Sequence, residues 1–386
     1  MKQVRVSRRA GNRVAAGHPW IFSSDIAERG EAAAGEAVHV ADLKGRLLGT
    51  AHYSSTSQIT LRLLDRRTIE INRGFYLERI RKAQALRESL GISGAYRLVH
   101  AEGDQLPGLM IDRYRDCFAV QFLSQGMDAA REEIVSCLEE LFAPRAIVAR
   151  NDAASRKHEQ LPLEKKLLRG ELPGELTVRM NDLDWQVDLL EGQKTGIFLD
   201  QRENYVAAAR FGFGQALDCF TCCGGFALHL SKSCEKVEAV DSSEKALTAA
   251  RRNADANGIG NVSFRDADVF DLLGGYGVAR RQFDTIVLDP PAFAKSRQAV
   301  DGAVRGYRDL NLRALRLLGP GGVLVTCSCS HHISEGMLLG AVAEAALEAG
   351  RTMRVLDRRT QSPDHPILLT VPETHYLKCL ILQVVD

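Results

Sequence analysis

Beyond about residue 190 the chain alternates short apolar strands with helical segments, and this alternation limits the possible folds more than any other feature. The apolar stretches ALDCF, KVEAVD, FDTIVLD and GVLVTCSC are separated by helical patterns such as SEKALTAARRNADANG. Apolar strands that alternate with helices form parallel sheets covered by helices on both faces. We therefore predict an α/β domain with a doubly wound, mostly parallel sheet. The closing stretches MRVLDRRTQ and HYLKCLILQVV predict a hairpin at one sheet edge.

Two further domains are predicted before this region, because a chain of 386 residues is too long for a single core. The patterns EAVHVAD, GRLLGTAHY and SQITLRLLD, separated by turns, indicate a small β barrel with little helix. Helical patterns then alternate with strands, which indicates a mixed α+β middle domain. The predicted domains are residues 1–72, 73–188 and 189–386.

Composition and charge narrow the class of protein. The chain is 45% hydrophobic and 26% charged, as in ordinary globular proteins, and it contains no apolar run long enough to span a bilayer. We expect no signal peptide and no membrane contact. Nine cysteines without the spacing of a disulfide framework favour a reducing, cytoplasmic environment.

The N-terminal region carries most of the excess positive charge. Residues 1–75 contain 12 Lys and Arg against 7 Asp and Glu, whereas the remainder is net negative. A basic module suits contact with nucleic acid, although modest positive surfaces are common. Arg5, Arg8 and Arg9 are the candidates for phosphate contact.

The turn after the first strand of the α/β domain predicts a nucleotide-like cofactor. Asp218 ends this strand, and Gly224 and Gly225 begin the next helix, where a backbone can approach a ligand closely. Asp241 ends the following strand and could accept hydrogen bonds from ribose hydroxyls. Phe220 stands where a GxGxxG turn has its first glycine. These residues fit NAD or S-adenosylmethionine, and Asp241 could also simply cap the next helix.

Two more strand ends favour a methyltransferase that acts on a flat base. Asp268 could accept a hydrogen bond from an adenine amino group, and Asp289 ends an all-apolar strand beside the expected crevice. Pro290 and Pro291 stiffen the backbone that follows, and Phe293 offers a face for a base. Hydride-transfer folds do not require such an Asp-Pro-Pro platform.

The stretch VLVTCSCSHHIS, which begins at Val323, has three interpretations. If the strand continues, Cys327, Cys329 and His331 share one face and could bind a metal, although no recurring CxxC pair supports this. The cysteines could also be buried as small apolar side chains. We favour a nucleophile, because a thiolate that adds to C6 of cytosine activates C5 and can later leave. Asp289 could then hold the N3/N4 edge of the base and help protonate N3.

With these residues assembled, the chain resembles the bacterial RlmI-type family of S-adenosylmethionine-dependent 23S rRNA cytosine-C5 methyltransferases. The motifs that carry the resemblance run nearly end to end: GHPWIFSSDI, YSSTSQI, KTGIFLDQREN, LDCFTCCGGF, VDSSEKAL, RNADANG, LDPPAFAKS, YRDLN, TCSCS and DHPILLTVPETHYLK. The resemblance implies an N-terminal PUA-like RNA-binding barrel and a C-terminal class I methyltransferase domain. It also implies S-adenosylmethionine as cofactor and 23S rRNA, or a precursor of the large ribosomal subunit, as partner.

The resemblance assigns roles to individual positions. It implies that Cys329 is the nucleophile and that Asp289 belongs to the DPPxF motif of the active site. The positions expected at the cofactor are Asp218, Phe220, Gly224, Gly225, Asp241, Ser242, Asp268, Val269, Pro290, Phe198 and Arg202, the last in a segment that covers the site. The positions expected at the RNA are Pro291, Phe293, Lys194, Arg5, Arg8 and Arg9. No metal site is expected.

Several features depart from the family pattern or leave alternatives open. Cys327, the pair His331-His332 and the pair Cys222-Cys223 are not expected, and they leave a disulfide or an adventitious metal between the two loops open. An exocyclic-nitrogen methyltransferase would use the DPPAF segment without Cys329. A non-catalytic RNA-binding or assembly factor would need neither, and an NAD-dependent oxidoreductase would need a nicotinamide pocket that the sequence does not reveal. The target nucleotide, the general base and the oligomeric state, a homodimer among the options, stay open.

Overall fold

The computed structural model describes residues 1–192, 196–294 and 296–386, and the chain divides into two compact units. Unit 1 comprises Met1–Val178, Val187–Gly196 and Pro363–Thr374. Unit 2 comprises Arg179–Gln186, Ile197–Ser362 and His375–Asp386. Across the described ranges, no helix combines the length and apolarity needed to cross a membrane. The domain boundaries given above stay predictions.

The N-terminal part of unit 1 is a six-stranded sheet with the order β2-β6-β5-β4-β1-β3. Its strands are β1 (Gln3–Val6), β2 (Trp20–Phe22), β3 (Ile26–Glu28), β4 (Ala37–Ala41), β5 (Leu47–Tyr53) and β6 (Ile59–Asp65). Strands β4, β5 and β6 coincide with the three predicted strand patterns. Their alternating apolar residues, such as Val38, Val40 and Leu61, are fully buried in a shared core.

A short helix, α1 (Arg8–Ala15), follows β1, and the strand patterns do not predict it. The side chain of Ser7 caps this helix by accepting a hydrogen bond from the Ala10 amide. Only Ala10 and Val14 are buried, four residues apart on one face, and most of the other side chains are polar or basic. The apolar signal of α1 is therefore too weak to stand out in the sequence.

The rest of unit 1 is built on a five-stranded sheet with the order β11-β10-β9-β8-β7. Its elements are α2 (Arg73–Ser89), β7 (Ala95–His100), β8 (Leu109–Tyr114), β9 (Cys117–Phe122), α3 (Gln125–Ala129), α4 (Arg131–Phe142), β10 (Ala146–Asn151) and β11 (Glu164–Gly170). The helical pattern MDAAREEIVSCLEELF lies on two helices, because Ala130 leaves the helical conformation between α3 and α4. Strands β12 (Thr177–Met180) and β13 (Leu183–Gln186) pair as a separate two-stranded sheet. Strand β12 begins in unit 1, and β13 belongs to unit 2.

Unit 2 is a seven-stranded sheet with the order β16-β15-β14-β17-β18-β20-β19. Its elements are α5 (Arg202–Phe211), β14 (Gln215–Cys219), α6 (Gly225–Leu230), β15 (Lys236–Asp241), α7 (Glu244–Ala256), β16 (Val262–Asp266), α8 (Val269–Val278), β17 (Phe283–Leu288), α9 (Val300–Leu315), β18 (Leu318–Ser328), α10 (Glu335–Ala349), β19 (Met353–Arg359) and β20 (Lys378–Val384). The strands from β14 to β18 pair in parallel, as predicted.

The hairpin predicted at the end of the chain is present. Strand β20 pairs antiparallel with both β18 and β19, and β19 forms the edge of the sheet. At the centre of the sheet the chain order reverses, because β14 lies between β15 and β17. Ligands of open α/β sheets bind at such a reversal, beyond the carboxyl ends of the strands. The ends of β14, β15, β17 and β18 therefore mark the candidate site.

Candidate active site

The turn that follows β14 has an unusual backbone. Phe220, Cys222 and Gly224 have φ angles of 65°, 49° and 91°, so every second residue is left-handed although only one is a glycine. The Cys222 amide donates a hydrogen bond to Oδ2 of Asp241 at 2.9 Å, which ties the turn to the end of β15. The turn thus places phenylalanine and cysteine at two positions whose backbone favours glycine.

Asp218 lies at the base of this turn and is completely buried. Its Oδ2 accepts hydrogen bonds from Thr221 Oγ1 at 2.6 Å and from the Ala227 amide at 2.9 Å, whereas Oδ1 has no hydrogen-bond partner among the described residues. Burial away from water raises the pKa of Asp218 to about 7. The Ala227 amide, near the start of the following helix, is therefore already bonded to Asp218.

Gly225 serves close packing of side chains. A Cβ atom at this position would lie 2.3 Å from the ring of Tyr205, closer than any real contact. The ring of Tyr205 also packs edge-on against Phe226, with centroids 4.8 Å apart. Helix α6, of which Gly225 is the first residue, is thereby held against α5, and only Gly224 has a backbone conformation that favours glycine.

The other predicted cofactor positions lie along the same edge of the sheet. Asp241 bridges two backbone segments, since its Oδ1 accepts the Ser243 amide at 2.9 Å while Oδ2 holds the turn. Ser242 beside it is exposed. Asp268 is exposed and caps α8 by accepting the Asp271 amide at 3.1 Å, and Val269 is buried. Their contact with a cofactor stays a prediction.

The Asp-Pro-Pro segment (residues 289–291) lies beside residues 328–330, which we call the cysteine loop. Strands β17 and β18 pair in parallel, as predicted, so the residues beyond their ends meet. The sulfur of Cys329 is 4.0 Å from the carbonyl oxygen of Pro290, and the Ala294 amide donates to Ser330 Oγ at 3.2 Å. Pro290 is buried, whereas Pro291 is exposed and Cys329 is partly exposed. The candidate nucleophile is therefore partly accessible beyond the carboxyl ends of β17 and β18.

Tyr307 holds the cysteine loop through its hydroxyl group, a role that the sequence did not reveal. Its buried hydroxyl accepts a hydrogen bond from Ser328 Oγ at 2.8 Å and lies 3.1 Å from Ser330 Oγ. Its ring contacts Phe293, with centroids 4.8 Å apart. Burial raises the pKa of Tyr307, so the phenol is neutral in the physiological range. The residues on both sides of Cys329 are thus held by one side chain of α9.

A cavity of about 640 Å³ opens beside Phe293. Its walls are the rings of Phe270 and Phe293, 6.4 Å apart, and the first turns of α9. Gly302 and Gly306 leave room on that helix, and Arg305 contributes a cationic rim. Paired aromatic faces with a nearby cation are suited to hold a flat base.

Cys327 differs sharply from Cys329. It is fully buried and lies directly opposite Cys379 in the pairing of β18 with β20. Burial, together with Cys379, raises the pKa of Cys327 well above that of an ordinary thiol. Strand β18 ends at Ser328, so the continuous strand that would place Cys327 and His331 on one metal-binding face is absent from the described residues.

The described part of the chain holds no cluster of three or more potential metal ligands. All nine cysteines are free thiols, so neither Cys222 nor Cys223 is bonded to Cys327.

Gln201, in the segment that is expected to cover the site, contacts Asp289. Its Nε2 donates a hydrogen bond to Oδ2 of Asp289 at 3.0 Å, and its Oε1 accepts one from Asn204 at 2.6 Å. Arg202 reaches Ser362 Oγ at 3.1 Å. Its expected contact with the cofactor stays a prediction. Phe198, just before this segment, is partly exposed, and Lys194 lies outside the described residues.

Lys378 is the second residue that the sequence did not reveal. Its side chain is almost completely buried, and Nζ donates to the carbonyl oxygens of Ser330 at 2.7 Å and Tyr376 at 2.8 Å. Burial lowers the pKa of Lys378 to about 8. Its position in the stretch HYLK could have indicated this role, because a lysine in an otherwise apolar strand is rarely buried without a partner.

The candidate RNA-contacting arginines of unit 1 are not equivalent. Arg5 pairs with Glu28 at 3.2 Å, and Arg9 pairs with the buried carboxylate of Asp25 at 2.8 Å. Arg8 is exposed and forms no ion pair within the described ranges. Of the three, Arg8 is the guanidinium that is most available for phosphate.

Comparison with known families agrees with this architecture. The profile of a PUA-like domain matches residues 4–66, and the profile of the S-adenosylmethionine-dependent methyltransferases matches residues 97–382. The chain belongs to the S-adenosylmethionine-dependent methyltransferase family. The predicted combination of an N-terminal PUA-like domain with a methyltransferase domain is confirmed, and so is the predicted cofactor.

Two relatives cover nearly the whole chain. A protein of Shewanella amazonensis named ribosomal RNA large subunit methyltransferase I is 45% identical over 379 residues, which is 95% of both chains. A protein of the same name from Tolumonas auensis is 42% identical over 380 residues, which is 95% of this chain and 96% of that one. The resemblance to this family is confirmed at that level, while cytosine-C5 specificity stays a prediction.

Solved structures share the fold. A proposed S-adenosylmethionine-dependent methyltransferase from Streptococcus mutans aligns over 100% of both chains with a TM-score of 0.85 and 20% identity. A structure of SMU.776 in complex with SAH aligns with the same score and coverage. A structure of Trm5b from Pyrococcus abyssi aligns over 72% of this chain with a TM-score of 0.52 and 16% identity.

Proposed function

We propose that this enzyme methylates C5 of a cytosine in 23S rRNA of the large ribosomal subunit, through a covalent bond between Cys329 and C6 of the base. The observation that carries the proposal is the pairing of a partly exposed cysteine with the Asp-Pro-Pro segment, 4.0 Å from Cys329 Sγ to the Pro290 carbonyl. Methylation of a base nitrogen has no need of a nucleophile at this point. The names of the relatives support large-subunit rRNA as the substrate.

The chemistry follows from the groups that surround the base in this proposal. The Cys329 thiolate adds to C6, which turns C5 into an enamine-like carbon nucleophile. Asp289 holds the N3/N4 edge and helps protonate N3, and Gln201 orients the carboxylate by its 3.0 Å hydrogen bond. S-adenosylmethionine, when bound, supplies the electrophilic methyl group that C5 attacks. Loss of the C5 proton then expels the thiolate.

The residues at the end of β14 fit the cofactor. The buried Oδ1 of Asp218 has no hydrogen-bond partner among the described residues, which suits a group that donates hydrogen bonds and carries positive charge, such as the cofactor's ammonium. Asp241 and the left-handed turn would hold the ribose end, and Asp268 with Val269 the adenine end. The chain's contribution is to bind and orient these parts.

The base must leave its helical stack to reach Cys329. The cavity that Phe270 and Phe293 line gives an extruded or neighbouring base an aromatic face. The PUA-like domain would contact rRNA through its basic surface, with Arg8 as the most available cation. A ribosomal RNA substrate would place the enzyme in the cytoplasm.

The test is a trapping assay with 23S rRNA fragments that contain 5-fluorocytidine. Fluorine at C5 blocks the elimination step, so the covalent enzyme–RNA complex should persist on a denaturing gel. We expect the complex with the unsubstituted enzyme and with the matched control Cys327→Ala, and its absence with Cys329→Ala. If methylation of ordinary RNA proceeds but no variant forms the complex, the covalent mechanism is wrong and methylation of an exocyclic nitrogen replaces it.

A further inference from the structure

Lys378 is a buried lysine whose hydrogen-bond partners carry no negative charge. The side chain is 3% exposed, and its two hydrogen-bond acceptors within the described residues are neutral carbonyl groups, those of Ser330 and Tyr376. No carboxylate forms an ion pair with it in the part of the chain that the structure describes. A buried ammonium without an anionic partner is costly, so buried lysines are normally paired.

The lysine is held directly beside the cysteine loop. Residue 378 pairs with Ser328 in the register of β18 and β20, and its Nζ bonds to the carbonyl of Ser330. The two residues that flank Cys329 therefore both contact Lys378, one through the strand pairing and one through Nζ. The charge of Lys378 also interacts with the Cys329 thiol.

Other titratable groups near this pair come from every neighbouring element. They are Asp289 after β17, Tyr307 on α9, Cys327 and Cys379 on β18 and β20, Asp200 before α5, and His331 and Tyr376 beside the loop.

None of the acidic groups among them takes the place of an anion for Lys378. Asp289 binds Gln201 and influences Cys327, and Asp200 accepts the hydroxyl of Tyr376 at 2.8 Å. Burial keeps the phenol of Tyr307 neutral by raising its pKa. The thiol of Cys329, between the two residues that Lys378 contacts, can supply a negative charge at this point.

We propose that Lys378 is the positioning residue that maintains Cys329 as a thiolate. This inference rests on the proposed covalent function and extends it, because it names the group that makes one of the two neighbouring cysteines reactive. Cys327 differs in that it lies opposite Cys379 and near the carboxylate of Asp289, both of which raise the pKa of Cys327. In this proposal, the pairing of β18 with β20 places Lys378 where it favours ionisation of Cys329, and Cys379 where it opposes ionisation of Cys327.

In the proposed step, the proton of the Cys329 thiol passes to the amine of Lys378. Two N–H bonds of Lys378 are directed at carbonyl oxygens, and the third position on nitrogen receives the proton of the Cys329 thiol. The products are an ammonium and a thiolate. The sulfur loses its charge when it bonds to C6 and regains it when the base leaves, so the ammonium favours the attack-ready and the released forms. The C5 proton goes to a different base.

The first test uses the unsubstituted full-length protein. The rate of alkylation of Cys329 by iodoacetamide is measured against pH by mass spectrometry of its peptide. An ordinary thiol has a midpoint near about 8.5. We expect the Cys329 midpoint at least about one pH unit lower. A midpoint at or above the ordinary value overturns the inference without any variant.

The second test removes the charge and keeps most of the side-chain volume. Lys378→Met should raise the Cys329 midpoint by about one pH unit or more and lower methylation at neutral pH about tenfold or more, with recovery toward about pH 9. Lys378→Arg retains a cation and should retain part of the activity. The matched control is Lys236→Met, at an exposed lysine of β15, which should change neither. A loss of activity that alkaline pH does not restore would indicate a structural role and overturn the inference.

The two proposals fail in different ways. If 5-fluorocytidine RNA traps the enzyme through Cys329 but the alkylation profile of Lys378→Met coincides with that of the unsubstituted protein, only the role of Lys378 is wrong. If no adduct forms and Cys329→Ala still methylates RNA, the covalent function itself is wrong.

Discussion

At the residue scale, the cofactor turn shows how a backbone can be specified without the usual side chains. A left-handed conformation costs a non-glycine residue about 1 kcal/mol or more, and Phe220 and Cys222 both adopt it. The cost is offset because the Cys222 amide reaches Asp241 and the Thr221 hydroxyl reaches Asp218. Strain of this kind at a binding site is retained when the surrounding contacts determine the conformation.

This strain gives a prediction for Cys222. We expect Cys222→Gly to be more stable than Cys222→Val by about 1 kcal/mol or more, because valine is branched at Cβ and tolerates a φ of 49° poorly. Urea unfolding of the two variants measures the difference. The same pair of substitutions at exposed Thr56, outside the left-handed residues, is the control for general effects of glycine and valine. Equal stability of the two Cys222 variants would contradict the strain.

The raised pKa of Asp218 predicts how cofactor affinity depends on pH. A cationic cofactor selects the ionised carboxylate, whereas below the pKa of about 7 the ligand-free protein holds it protonated. S-adenosylmethionine affinity should therefore weaken by up to about tenfold for each pH unit below 7. Asp218→Asn should bind more weakly with a flat profile, and exposed Asp255→Asn should keep the original profile. Calorimetric titrations between about pH 5.5 and 8 would show a flat profile for the unsubstituted protein if the idea is wrong.

Ionisation of Asp218 should lower the stability of the cofactor-free protein, although it favours cofactor binding. Because folding raises the pKa of Asp218 from 3.8 to about 7, the folded state binds its proton more tightly than the unfolded state. Its contribution to stability is fully present below about pH 4 and is lost as the pH rises through 7. Without cofactor, Asp218→Asn should therefore resist urea better than the unsubstituted protein near about pH 8. The advantage should shrink at about pH 5, and an advantage that is equal at both values would point to a cause other than ionisation.

At the scale of elements, α9 fixes the loop that carries the nucleophile through the single hydroxyl of Tyr307. Tyr307→Phe should leave the buried hydroxyls of Ser328 and Ser330 short of a partner and cost about 1–3 kcal/mol of stability. It should lower kcat more than it changes cofactor affinity, since the loop position, and not the cofactor turn, is disturbed.

The matched control is Tyr276→Phe. Tyr276 also loses hydrogen bonds, to Glu238 and Arg265, within the same unit but on α8. It should lower stability similarly while kcat is retained. Urea unfolding and single-turnover methylation separate the two effects. Equal losses of kcat in both variants would mean that the loop does not depend specifically on Tyr307.

The sequence predicted the order and pairing of the secondary-structure elements better than the side-chain contacts between them. The parallel strands, the closing hairpin and the meeting of the Asp289 and Cys329 segments followed from apolar alternation, because adjacent parallel strands end at the same edge. The contacts of Gln201 with Asp289 and of Lys378 with Ser330 join residues 88 and 48 positions apart. Side-chain contacts of this kind depend on how loops pack over the sheet, and periodicity carries no information about them. For the same reason the sequence did not single out Gln201.

At the scale of the whole molecule, the chain forms two compact units that are not continuous in sequence. The stretch Pro363–Thr374 belongs to unit 1, although the residues on both sides belong to unit 2. Within unit 1, the Asp364 carbonyl accepts a hydrogen bond from buried Arg87 at 2.6 Å, and its carboxylate accepts the Arg97 amide at 2.9 Å. A motif that reads as one piece, DHPILLTVPETHYLK, therefore contributes to both units.

This division predicts that RNA affinity and catalysis can be changed separately. Arg8 lies in unit 1 with no ion pair among the described residues, whereas the cofactor turn and Cys329 lie in unit 2. Arg8→Ala should raise KM for rRNA and reduce the slope of log affinity against log salt by about one, the value for one lost phosphate contact. The kcat at saturating RNA and the affinity for S-adenosylmethionine should not change.

Arg5→Ala is the matched control, because Glu28 already neutralises Arg5 at 3.2 Å. Its effect on the salt slope should be smaller than that of Arg8→Ala, since a guanidinium that is paired within the protein releases fewer counterions from RNA. Filter binding across a series of salt concentrations measures both slopes, and steady-state methylation measures KM and kcat. A fall in kcat with an unchanged slope for Arg8→Ala would mean that the N-terminal sheet supports the catalytic unit and does not hold the RNA.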